Sequence, residues 1–172
     1  MADGYGSSFV HLVNKDTGEY TGVTYGGAGD TASPDLPTRF NCNHGMGYDD
    51  ERELVVYTDR ANHRLVYTTK TGTFHSQVPL GQGGMSLPCN VDVNHRENLA
   101  IVASLGTPDA MEEGSVGIVD QATGQVVSTL QVAQLLGAQG HKHPHDAIFL
   151  PNGDVVVSTW NPGRLSYWRR RK

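Results

Sequence analysis

A spacing that occurs three times limits how this chain can fold more than any other feature. His44 stands ten residues before Leu54, Cys89 ten before Leu99 and His145 ten before Val155, and the later residue of each pair lies in an apolar run. Between slot and run each copy carries a polar turn: Asp49-Asp50-Glu51-Arg52, Asn94-His95-Arg96-Glu97-Asn98, and Pro151-Asn152-Gly153. A short strand, a polar turn and a second strand form a hairpin with a potential ligand at its mouth.

A second pattern interleaves with the first. Phe9 to Val13 and Glu19 to Tyr25 flank a turn, as do Leu65 to Thr69 with Thr73 to Val78, and Val116 to Val119 with Gln125 to Leu130. Their Thr-Gly turns, at 17–18, 71–72 and 123–124, are 54 and 52 residues apart. A four-strand unit repeated at that interval predicts an all-β chain of propeller blades. Residues 1–40 supply the outer part of a first blade, with Gly26 to Phe40 as a Gly/Pro-rich crossover. Residues 41–84 and 85–140 are two further blades, the latter with a loop over Gly106 to Gly114 and a helical turn or two over Val132 to Gln139. Residues 141–172 begin another blade, incomplete in this chain. About three blades in an open arc leave sheet edges bare, so a homodimer closing to about six blades is the expected partner arrangement.

Composition narrows the function classes. The 172 residues are enough for one domain with a real core. A formal charge of −5 argues against general nucleic-acid binding, and Arg169-Arg170-Arg171-Lys172 reads as a solvated end. No 18-residue apolar run predicts a membrane span, and Met1-Ala2-Asp3-Gly4 has no features of a signal peptide. Two cysteines, Cys42 and Cys89, make no disulfide framework.

The slots carry the chemistry. Inner-strand starts line one end of a propeller channel, so His44, Cys89 and His145 are expected to converge there. Two imidazoles and a thiolate suit zinc. The alternative is two satisfied polar histidines in a hydrated channel, with Cys89 as a small buried hydrophobe. His141 and His143 fall outside the slot and are expected to face solvent or to stand behind the ligands. Asp146 could orient an imidazole, bind calcium through oxygen, or accept backbone N–H bonds at the strand start. Arg60 could clamp an anion beside the metal, or join Asp59 and Arg64 in a surface network. Tyr5 holds the matching place in the first unit, as base, proton donor or strand-end aromatic. Trp160, Tyr167 and Trp168 read as core and strand-face residues.

Ala2-Asp3-Gly4-Tyr5-Gly6-Ser7, Asn43-His44-Gly45, Thr58-Asp59-Arg60-Ala61-Asn62-His63-Arg64, Pro88-Cys89-Asn90 and Pro144-His145-Asp146 resemble the peptidyl-α-hydroxyglycine α-amidating lyase family. That family is a six-bladed member of the NHL-repeat propellers, and the resemblance covers its carboxyl-terminal two-thirds. It implies a channel zinc on His44 and His145, Tyr5 and Arg60 as catalytic residues, and Asp146 near a structural calcium. It also implies a secreted or periplasmic location and cleavage of a peptidyl-α-hydroxyglycine to a peptide amide and glyoxylate. Zinc lowers the pKa of bound water from roughly 15.7 to about 7, and would ease loss of the substrate hydroxyl proton in the same way. The family's third histidine and a further arginine lie on early blades that have no counterpart here, and Gly6 stands where a disulfide cysteine is usual. Cys89 or a second subunit would complete the shell. The alternative function is a non-catalytic propeller scaffold that binds a peptide or protein. A metal-dependent hydrolase would lean on Asn, Asp and Glu ligands, which are not prominent in the slots.

Overall fold

The computed structural model describes residues 1–30, 37–81, 85–106, 113–137, 139–160 and 163–171. Most of the Gly106–Gly114 loop and the middle of the Gly26–Phe40 crossover lie outside these residues. The described chain is all-β apart from one short helix and three single 3-10 turns. None of its helices is long and apolar enough to cross a membrane.

The strands fall into four antiparallel meanders. The first is the hairpin β1 (Phe9–Val13) and β2 (Tyr20–Gly26). The second runs in order through β3 (Asn43–Asp49), β4 (Leu54–Asp59), β5 (Arg64–Thr69) and β6 (Phe74–Pro79). The third repeats this with β7 (Pro88–Asn94), β8 (Leu99–Ser104), β9 (Val116–Asp120) and β10 (Gln125–Leu130). The fourth has three strands, β11 (Pro144–Phe149), β12 (Val155–Thr159) and β13 (Arg164–Trp168). Helix α1 (Val132–Leu136) links the last two sheets and stops at Gly137, whose φ of 60° closes the turn. The predicted hairpins are therefore present. Their Thr-Gly turns place Gly18, Gly72 and Gly124 at φ of 73°, 89° and 69°, a region that suits glycine.

The apolar runs are continuous because the middle strands are buried on both faces. On β4, Leu54 and Val56 enter one core with Val91, Ala100 and Val102 of the third sheet. Their neighbours Val55 and Tyr57 turn to Val10, Tyr25 and Phe40 of the first hairpin. On β8, Ala100 and Val102 face the second sheet, while Ile101 and Ala103 meet Val155 and Val157 of the fourth. Successive side chains on a strand point to opposite faces, so a strand between two sheets needs apolar residues at every position. The sheets thus stack face to face, with β3, β7 and β11 as neighbouring strands.

Three local expectations change. Trp160 is not a core residue: it follows the end of β12 and is 56% exposed, whereas Trp168 packs into the core beside Val155. Asp59 and Arg64 do not form a surface network, because both are buried, with Arg64 Nε 2.7 Å from Asp59 Oδ2. His141 does not face solvent: it is buried and shares a hydrogen bond with Thr159 Oγ1 at 3.4 Å.

Candidate metal centre

His44, Cys89 and His145 are each the second residue of β3, β7 and β11. Each lies at an irregularity of the ladder. The pairing sum shifts by one between Asn43 and Met46, between Pro88 and Val91, and between Pro144 and Asp146. A bulge adds a residue to one strand and re-aims its side chain, so the same defect turns all three ligand candidates toward one point. Their ligand atoms lie within 4.8 Å of one another. The rings of His44 and His145 meet edge-to-face at 4.9 Å between centroids.

Close approach of β3 to β7 sets this geometry. A Cβ on Gly45 would stand 2.4 Å from the carbonyl oxygen of Cys89 and 2.2 Å from Asn90 Oδ1, so only glycine fits. His44 Nδ1 lies 3.1 Å from the Cys89 carbonyl oxygen and donates to it. That carbonyl also accepts from the buried Thr58 hydroxyl at 2.6 Å, and Thr58 Oγ1 in turn accepts from the Gly45 amide at 2.7 Å. With Nδ1 protonated, Nε2 of His44 carries the lone pair, the form required of a ligand.

On the open side, Tyr5 Oη donates to His44 Nε2 at 3.1 Å and accepts from Arg60 Nη1 at 3.0 Å. The Arg60 guanidinium also lies 5.4 Å from the Tyr5 ring centre. Arg60 reaches this point because the β3 bulge shortens the return path: its amide donates to the Cys42 carbonyl at 2.9 Å, next to the slot. Tyr5 is 79% exposed, so this side is open to a ligand.

The electrostatics keep the donor set uncharged in the absence of an ion. Burial lowers the pKa of His44, the Cys89 carbonyl opposes that effect, and Arg60 and His145 add to it. Burial also lowers His145, with Arg60 acting in the same direction and Asp146 against it. Both imidazoles are therefore mostly neutral at pH 7. Burial pushes the Cys89 thiol up to about 11 despite the pull of Arg60. Its S–H points back to the Leu87 carbonyl at 3.5 Å, and both cysteines are free thiols. A soft cation that displaces this proton would be bound by the thiolate it creates, which would offset part of its charge.

The donor set fits zinc: two imidazoles and one sulfur, one imidazole oriented by a backbone carbonyl. Asp146 does not join the cluster of the described residues. Its Oδ1 accepts from the Ala147 amide at 2.9 Å, and burial raises its pKa although Asn90 and His145 oppose this. His143 stands behind the ligands, with Nδ1 3.3 Å from the Leu105 carbonyl and its ring edge-to-face with Trp160. Thr58 carries no chemical signal in the sequence beyond a hydroxyl near the end of a largely apolar strand.

No family model and no curated protein matches this sequence. Among solved structures the chain is similar to Kuenenia stuttgartiensis hydrazine synthase, at 13% sequence identity and a TM-score of 0.52. The match covers 68% of this chain and 29% of that one, so the chain spans under a third of its length. At this identity the likeness is one of fold.

Proposed function

We propose that this chain is a zinc-binding arc of an NHL-type β-propeller whose metal centre performs lyase chemistry of the peptidyl-α-hydroxyglycine class. One observation carries the reading: three potential ligands from three sheets converge, and the Tyr5–Arg60 pair is bonded to one of them. His44, Cys89 and His145 would hold the ion, Cys89 filling the place of a third histidine. Zinc bound there supplies a Lewis acid that makes a substrate hydroxyl easier to deprotonate.

The chain's own residues do the remaining work. Arg60 would bind the substrate carboxylate and stabilise the negative charge that develops on the neighbouring hydroxyl oxygen as its proton leaves. Tyr5 would give up its bond to His44 Nε2 where that nitrogen holds zinc, and as the phenolate beside Arg60 it would take the hydroxyl proton. The C–O bond then becomes a carbonyl, the C–N bond breaks, and a proton goes to the departing amide nitrogen, giving peptide amide and glyoxylate. Calcium at Asp146 would be a separate, structural ion.

The four meanders are read as blades, and the arc closes as a homodimer. Support comes from the edges. Among the described residues strand β13 pairs only with β12, while β1 pairs with β2 and has one isolated bridge, Ala2 with Val10. Leu165 and Tyr167 on β13 are 72% and 54% exposed.

The test is glyoxylate release from a synthetic peptidyl-α-hydroxyglycine by zinc-loaded protein, with metal content measured on the same samples. Release that disappears in Tyr5→Phe and Arg60→Gln, with zinc retained, is expected. His44→Ala and His145→Ala are expected to lose zinc without unfolding. Retained zinc in both histidine variants would overturn the site, and absence of glyoxylate from a zinc-loaded wild type would overturn the activity.

A further inference from the structure

The residue after the second strand of each sheet occupies one repeated position. Arg60 follows β4, Leu105 follows β8 and Trp160 follows β12. Their amides make the same bond: Arg60 to Cys42, Leu105 to Leu87 and Trp160 to His143, at 2.9, 3.1 and 2.9 Å. Each acceptor stands two residues before a ligand candidate, His44, Cys89 or His145. Three equivalent positions are thus fixed around the cluster, and they hold a cation, an aliphatic side chain and an indole.

Trp160 is the unusual member. It is 56% exposed, although its backbone is pinned beside the site and the edge-to-face contact with His143, 6.4 Å between centroids, orients its ring. A large apolar ring held in a fixed place and left open is a surface on which another apolar group can lie. Arg60 carries a positive charge at the equivalent position on the sheet of His44, as Trp160 stands on the sheet of His145, and the rings of those two histidines are 4.9 Å apart.

We propose that Trp160 is a specificity-determining residue, and that this end of the molecule takes a peptide whose carboxylate is held by Arg60 and whose penultimate side chain is aromatic or large and apolar, resting on Trp160. The inference rests on the functional reading above for the carboxylate but not for the metal: it requires Arg60 and Trp160 alone. Leu105 holds the same position on the third sheet, which neighbours both of the others.

The test compares binding of two probes, N-acetyl-Phe-Gly and N-acetyl-Gly-Gly, by titration calorimetry with and without zinc. Wild type is expected to bind the phenylalanine probe about tenfold more tightly, the factor that one good aromatic contact gives. Trp160→Ala should bring that ratio to about one, and Trp160→Phe should restore most of it. Arg60→Gln should weaken both probes equally and leave the ratio unchanged. Trp160 and Trp168 are the two tryptophans of the chain, so a Trp168→Phe background lets quenching of Trp160 fluorescence report the contact directly. A ratio unchanged in Trp160→Ala, or failure of wild type to bind either probe, would overturn the proposal. A wild type that takes up no zinc yet keeps the ratio would overturn the metal reading and leave this one standing.

Discussion

At the scale of single residues, the candidate centre depends on a position with no side chain. Gly45 lets β3 approach β7 closely enough for His44 Nδ1 to reach the Cys89 carbonyl, and that bond decides which imidazole nitrogen is free. Gly45→Ala would push a methyl group into the Cys89 backbone. We expect zinc affinity to fall about 10- to 100-fold, the usual cost of losing an outer partner of a metal ligand. Competition with a chromophoric chelator would measure this, with the melting curve as a check on folding. Unchanged affinity would show that the carbonyl does not orient His44. The three ligand candidates were legible in the sequence because they recur at one spacing. Gly45 and Thr58 were not, because a close approach and a hydroxyl bridge depend on which strands become neighbours. Trp160 was misread for a related reason: composition cannot tell an indole that fills a core from one held in a turn.

At the scale of elements, β4 and β5 carry the Asp59–Arg64 pair that fixes the end of their hairpin near the site. Asp59 is fully buried and accepts from Arg64, Asn62 and the Asn41 amide at 2.7, 2.8 and 2.7 Å. Arg64 also donates to Gln77 Oε1 and the Arg39 carbonyl at 2.6 and 2.7 Å. Removing one partner leaves a buried charge unpaired, so Arg64→Ala should cost about 3–5 kcal/mol. Lys70→Ala breaks an exposed pair with Glu53 at 3.4 Å and should cost under about 1 kcal/mol. Urea midpoints would separate the two; equal shifts would contradict the account. The strands themselves were readable from apolar periodicity and Thr-Gly turns. The bulges at the three slots were not, since an extra residue in a ladder leaves no compositional mark. Those bulges are also why Arg60, sixteen residues after His44, returns to the same end.

At the scale of the whole molecule, the described residues form four stacked meanders with cores between neighbouring sheets, and among them the edges of the first and last sheets are unpaired. The repeat period made this order legible from the sequence, while the sequence alone says nothing of what covers the edges. Closure and metal binding are linked in the proposed function, because a closed ring would surround the cluster and shield it from water. Native mass spectrometry of the zinc-loaded chain, with elemental analysis of the same sample, tests both together. The account predicts a dimer that holds one zinc per chain and loses it when His44, Cys89 or His145 is replaced by alanine. A chain that carries no zinc would contradict the metal centre, and a zinc-bound monomer would contradict the closure.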